Sequence, residues 1–148
     1  MERPATYDDV NLVLRLYELR REPKMREARD WFIKSFKATT REEFEALCPQ
    51  GSEQNAYFRM VVSYWDMAAS FITNGVLHEE IFFESGNELL FVWERIRDMV
   101  PAWRELMNNP SIMKNIETVA KKFIEWGDAR APEWYGTFSK MVRGAAGD

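Results

Sequence analysis

The sequence contains a single cysteine, Cys48, and a single histidine, His78, in 148 residues. One thiol excludes an intrachain disulfide and any cysteine-based metal cage, and it fits a reducing compartment. One imidazole excludes the two-histidine zinc arrangement of the helical metalloproteases. Glycine is sparse, with seven residues, and none sits in a phosphate-cradling loop, a nucleotide fingerprint or a Gly-x-Ser-x-Gly elbow. Positive charge is not in excess either. Twenty Lys and Arg against 24 Asp and Glu give a net charge of -4, with the two signs intermixed. No field draws a phosphate backbone, so nucleic acid is not an expected partner. Long apolar runs are also missing. The longest nearly uncharged stretch, Met60 to Leu77, carries Asp66 in its middle and Asn74-Gly75 near its end, which argues for a buried helix and against a membrane span. The start, Met1-Glu2-Arg3-Pro4, lacks the apolar stretch of a signal peptide. The resulting expectation is a cytoplasmic protein without a membrane span.

What the sequence does have is core-forming material. A 46% hydrophobic share with 14% aromatics supplies an interior, and 30% charged residues cover the outside. A chain of this length buries roughly two-thirds of its unfolded surface and needs no staple. Period-two alternation is lacking beyond the four residues Glu80 to Phe83. The expected fold is therefore all-α, a single-domain bundle of about six to eight helices over residues 1–143, with a loose tail at 144–148.

Thr6 and Asp9 read as an N-terminal cap, after which Val10, Val13, Leu14 and Tyr17 recur on one helical face. Pro23 in a first turn begins a second stripe of Met25, Ala28, Arg29, Phe32 and Phe36, flanked by Trp31. Thr40 and Glu43 have capping-box spacing ahead of a short helix stopped at Cys48-Pro49-Gln50-Gly51. From about Glu53 to Thr73 the sequence is apolar on nearly every side, with Phe58, Val61, Val62, Trp65, Ala69 and Ile72 on one face, so this helix belongs at the centre. Asn74-Gly75 closes it, and Val76 to Glu80 starts another. Gly86 predicts a break. The stripe Trp93, Ile96, Val100, Trp103 and Met107 stays in phase past Pro101, which predicts a kink there and not an end. Asn109-Pro110 reads as a cap with a first-turn proline for the helix of Ile116, Val119, Ala120 and Phe123, stopped by Gly127. A last amphipathic segment spans Glu133 to Val142.

Several constellations carry two readings. Arg59, Ser63, Asp66 and Ser70 form a polar stripe on the central helix at three-to-four spacing. Beside Trp65 this stripe could line a polar cavity, with Arg59 or Asp66 orienting a ligand. It could equally be a solvent-facing seam or a satisfied internal network, the commoner fate of such groups. His78, Glu79, Glu80 and Glu84 include good metal ligands, but no Glu-x-x-His pair exists, and acids in a first turn are favoured by the helix dipole. No metal or other cofactor is expected. The basic residues Arg20, Arg21, Lys24, Arg26 and Arg29 are interleaved with Glu18, Glu22, Glu27 and Asp30, as on a solvated face. Cys48 has no local activating motif and reads as inert. Of the six tryptophans, Trp134, together with Tyr135, is the leading candidate for anchoring a subunit interface, where aromatics are enriched.

The order of three segments resembles a widespread bacterial family of helical proteins grouped as a domain of unknown function. They are Ala28-Arg29-Asp30-Trp31-Phe32, then the aromatic helix ending Asn74-Gly75-Val76-Leu77-His78-Glu79-Glu80, then Trp93-Glu94-Arg95-Ile96-Arg97 with Val100 and Arg104. The resemblance covers about two-thirds of the chain; it implies a helical bundle and supplies no established activity or catalytic residues. Members often look membrane-anchored through an N-terminal span; no such span occurs here, so that feature does not carry over. The simplest role it implies for Trp93-Glu94 with Arg97 or Arg104 is a clamp between helices, with arginine pairing to Glu94 or Asp66. Without a catalytic constellation, the expected function is a helical protein-interaction module that associates with itself or a protein partner. A domain binding a small apolar or amphipathic ligand is the alternative.

Overall fold

A computed structural model describes residues 3–144. Nine α-helices, and no strand, occur among the described residues. They are α1 (Tyr7–Arg20), α2 (Pro23–Ser35), α3 (Arg41–Leu47), α4 (Glu53–Thr73), α5 (Glu79–Phe83), α6 (Asn87–Ile96), α7 (Val100–Leu106), α8 (Lys114–Arg130) and α9 (Trp134–Arg143). Six of these have ten or more residues, and three are single- or two-turn connectors. The fold is all-α and single-domain, as the apolar periodicity requires. Residues 145–148 of the expected tail lie outside the described residues.

Helix α4 is the axle. Ser52 caps it by accepting from the Asn55 N–H at 3.1 Å, and at its end Gly75 adopts φ 76°, a left-handed turn that glycine enters without a Cβ penalty. It packs against α2 on one side and α8 on another, and Phe58, Val61, Val62, Tyr64, Trp65, Ala68, Ala69 and Ile72 are buried. The small pair Ala68-Ala69, with Ala28 on α2 and Ala120 on α8, is fully buried and gives these helices close approach. The α2 side is an aromatic cluster. Phe32 stacks on Phe36 at 4.9 Å, Phe36 meets Phe58 at 5.1 Å, and Phe44 and Trp103 close around Phe58. Helix α6 leans on α8 and α9.

Four sequence expectations are corrected. Most of the stripe on α1 is turned outward: Val10, Leu14 and Tyr17 are exposed, Val13 is half-buried against the core, and Asp9 and Leu16 are buried. The chain does not kink through Pro101. Helix α6 ends at Ile96, turns over 97–99, and restarts with Pro101 in the first turn of α7. Proline has no N–H for the ladder and its ring crowds the carbonyl four residues back, so the continuous helix is broken where a first turn tolerates the ring.

The start and the stop of α8 also differ. The Asn109-Pro110 segment forms turns, with Asn108 and Met113 at positive φ, and the helix begins at Lys114. Gly127 does not stop it; the helix runs on to Arg130, one residue before Ala131-Pro132. A residue preceding proline is pushed out of the α region, which sets the end. Gly127 is needed for a different reason. A Cβ there would stand 2.2 Å from Cζ3 of Trp134, whose ring lies directly on the α8 backbone.

Gly127→Ala is therefore expected to destabilise the protein. Its helix-propensity gain of at most about 1 kcal/mol is outweighed by an overpacking cost of about 1–3 kcal/mol. Urea denaturation measures the balance, and faster amide exchange in α9 should accompany it.

Candidate functional site

The residues singled out on α4 point in three directions. Trp65 is fully buried and donates its Nε1–H to Glu88 at 3.0 Å. Glu88 also takes Arg29 in a forked pair, Nε at 2.9 Å and Nη2 at 2.9 Å, while the Arg20 guanidinium lies 5.1 Å over the Trp65 ring. Asp66 turns to the other side and accepts the Ile116 N–H at 3.0 Å. Helix α8 has no capping side chain of its own, since its N-cap is Met113. Asp66 supplies from α4 the acceptor that an Asp or Ser at the cap would ordinarily give. Arg59 is exposed and donates to Asn55 at 3.0 Å. Together with exposed Ser63, it belongs to a solvent-facing seam. The structure does not gather Arg59, Trp65 and Asp66 around one cavity.

Trp134 and Tyr135 are spent internally. The Trp134 ring stacks on Phe123 at 6.1 Å and on Phe138 at 5.7 Å. The Tyr135 hydroxyl donates to Glu94, whose side chain is wholly buried; Ser139 donates to the same carboxylate at 2.8 Å, and Arg97 and Arg143 each approach it at 3.4 Å. Burial, and next the adjacent Glu94 carboxylate, push the Tyr135 hydroxyl up to about 12. Glu94 is thus the centre of a clamp that fastens α9 to α6. The Arg97–Glu94 pair expected from the family resemblance is present, whereas Arg104 donates to Glu117 and to the Ile112 carbonyl, not to Asp66.

The lone histidine is a cap: its Nδ1 accepts the Ile81 N–H at 3.4 Å at the start of α5. Cys48 is sealed, and burial pushes its thiol up to about 11, which keeps it protonated and unreactive.

Asp9 has a larger part than its cap position suggests. Its buried carboxylate accepts Arg3 Nη1 at 2.6 Å and Nη2 at 2.7 Å, the Thr6 N–H at 2.7 Å and the His78 N–H at 2.9 Å. Arg3 reaches on to the Val76 carbonyl at 2.9 Å. One carboxylate therefore ties the residues before α1 to the turn between α4 and α5. The Arg3 guanidinium, ahead of the backbone donors, holds Asp9 well below the usual carboxylate range. Sequence spacing marked only the Thr6 bond, because the other donors come from a partner ahead of the helix and from residues near position 78.

With Asp9 and Leu16 facing in, α1 leaves a row of large apolar side chains in water. Tyr7 is 90% exposed, Leu14 53%, Tyr17 48% and Val10 39%. Their spacing of three, four and three residues puts them on one stripe. Asp8 and Arg15 are exposed beside it. Among the described residues no other helix presents four exposed large apolar residues in a row; Val76, Met141 and the pair Leu106-Met107 stand apart.

These features define an all-helical domain whose buried carboxylates serve as structural fasteners and whose conspicuous free surface is one helix face. No helix among the described residues is long and apolar enough to cross a membrane. Residues 5–123 match the family described as Domain of unknown function (DUF4760), and the chain belongs to it. No curated protein and no solved structure matches the chain. Helix α9 lies beyond the matched residues.

Asp9 makes an acid-stability prediction. Its folded value lies below the ordinary aspartate value of about 3.9, so its contribution is fully present above about pH 4 and is lost as pH falls further. Asp9→Asn should lower the melting temperature near about pH 7 and flatten the decline toward about pH 3 relative to the parent. Thermal scans by circular dichroism across that range check both.

Proposed function

We propose that this protein is a non-enzymatic, self-associating helical module, and that the outer face of α1 is its contact surface. The observation that carries this reading is the exposed row Tyr7, Val10, Leu14 and Tyr17. Apolar stripes of this kind are what paired helices bury. Trp134 and Tyr135, the earlier candidates, are committed to α9 docking, and that leaves α1.

The occupant is a second copy, because the stripe is self-complementary. In an antiparallel pair with its twofold axis near residue 12, Tyr7 meets the partner's Tyr17 and Val10 the partner's Leu14. The same register brings Asp8 to within one residue of the partner's Arg15, twice by symmetry. A contact from Tyr7 to Tyr17 is only about 15 Å long, which places it among small, reversible interfaces. Association in the range of about 10–100 μM is expected.

Against an enzymatic role stand the engagements of the buried and half-buried acids. Asp9, Asp66, Glu88 and Glu94 are all held by backbone N–H groups, guanidinium groups or hydroxyls. The cytoplasm is the proposed setting, supported by the single, buried, protonated thiol.

Sedimentation equilibrium tests the reading. Leu14→Glu should leave the fold intact, with a stability change within about 0.5 kcal/mol, and sediment as a monomer. Asp8→Arg and Arg15→Asp should each weaken association, and the double reversal should restore it. A parent protein monomeric at about 1 mM, or a Leu14→Glu variant that associates as the parent does, would refute the proposal.

A further inference from the structure

A cleft of about 270 Å³ opens between the α5–α6 junction and the α8–α9 corner. Its walls are Phe83, Phe123, Trp126 and Trp134, and Glu84 and Arg130 stand at its edge. The Arg130 guanidinium lies 4.0 Å over the Trp126 ring and donates to the Trp126 carbonyl at 3.2 Å. Among the described residues no carboxylate pairs with it. An arginine fixed over an aromatic wall and unpaired with an acid is already shaped for a carboxylate, which its planar fork binds through two parallel bonds.

The walls themselves ask for a flat apolar group. Phe83 and Trp126 lie 5.5 Å apart at 52°, and Phe123 and Trp126 5.8 Å apart at 86°, so the rings form a corner and do not fill it. Ring contacts and Arg130 hold Trp126 in that corner. Its Nε1–H is buried and, among the described residues, is the one buried side-chain polar atom without a hydrogen-bond partner. Buried indole N–H groups ordinarily find an acceptor. The volume exceeds the roughly 150 Å³ that holds a benzene and lies near the lower end of small-molecule sites, which suits one ring or two fused rings.

We propose that this cleft binds a small aromatic carboxylate, its ring against Trp126 and Trp134 and its carboxylate on Arg130. Glu84 disfavours a second negative charge and is placed to take an ammonium group. The ligand is thus either a simple aromatic acid or a free aromatic amino acid, and the two share the chemistry that Arg130 and the rings read. The site is separate from the outer face of α1, and Trp126, Gly127, Arg130, Ala131 and Trp134 of its lining lie beyond the family-matched residues.

Proton NMR of the six indole N–H groups tests the proposal on the full chain, with the Trp126 resonance assigned by Trp126→Phe. Titration with indole-3-acetate, L-tryptophan and neutral indole should move that resonance saturably for the two carboxylates, with a dissociation constant on the order of 1 mM or tighter. Indole should bind at least about tenfold more weakly, and Arg130→Ala, at an exposed position, should cost the carboxylates about the same factor. If L-tryptophan binds better than indole-3-acetate and Glu84→Gln erases the difference, the amino acid is the source. If it does not bind better, the simple acid is. No saturable shift, equal binding of indole, or unchanged affinity in Arg130→Ala would each overturn the proposal. None of these readings depends on whether the chain self-associates.

Discussion

The roll of α1 about its own axis is fixed by one buried carboxylate. Asp9 can meet the His78 N–H and the Arg3 guanidinium only if its side of the helix faces inward. Stripping a charge of those partners while keeping it buried would be costly, since an uncompensated ion in the interior has no water to replace them. Hydrophobicity alone does not choose between the two faces of this helix. Turning Val10, Leu14 and Tyr17 inward would bury one apolar set at the expense of Leu16 and Leu12, and it would carry Asp9 away from its donors. The same carboxylate positions α5 through the first residue ahead of it, and α1 packs against α5. The exposed stripe is thus a consequence of a satisfied polar group beneath it.

Around α4 the rule is similar. A helix covered on two sides must hand its polar atoms to neighbours. Tyr64 donates to the Leu16 carbonyl of α1, Trp65 to Glu88 of α6, and Asp66 accepts from the first turn of α8. Consecutive residues 64, 65 and 66 therefore fasten three different helices to the axle. This accounts for polar atoms in a segment otherwise apolar enough to look like a membrane span, and for their failure to form a common site.

Where local chemistry decides, the sequence was legible. The left-handed Gly75 and the run of aromatics bound α4 as read, and the capping residues Thr6 and Thr40 lie where their spacing places them. Where a distant residue decides, it was not. Gly127 has the signature of a helix stop, but Trp134 uses it as a bare patch of backbone. Pro101 lies in phase with a continuing stripe, yet the missing N–H breaks the ladder before the stripe can be used. On α1 two apolar faces compete, and only the long-range donors to Asp9 choose between them. Trp134 and Tyr135 looked like interface anchors because an amphipathic segment does not name its partner; here the partner is the chain's own α8 and α6.

That last point separates the two parts of the chain. Helix α9, outside the family-matched residues, is docked by a hydroxyl pair from Tyr135 and Ser139 on Glu94, by Arg143 on Glu94 and Asp98, and by Trp134 on α8. Removing it would expose a carboxylate that has only Arg97 left beside it, together with the Phe123 ring. Neither group tolerates that change of environment equally well: a charge regains water, whereas the ring loses its burial. The apolar contact at Gly127 and Phe123 therefore holds α9 to α8, as the Glu94 cluster fastens it to α6. The aromatic cleft exists only because the first of these contacts leaves Trp134 flat against α8, turning what would be a continuous surface into a corner with Trp126 as its other wall.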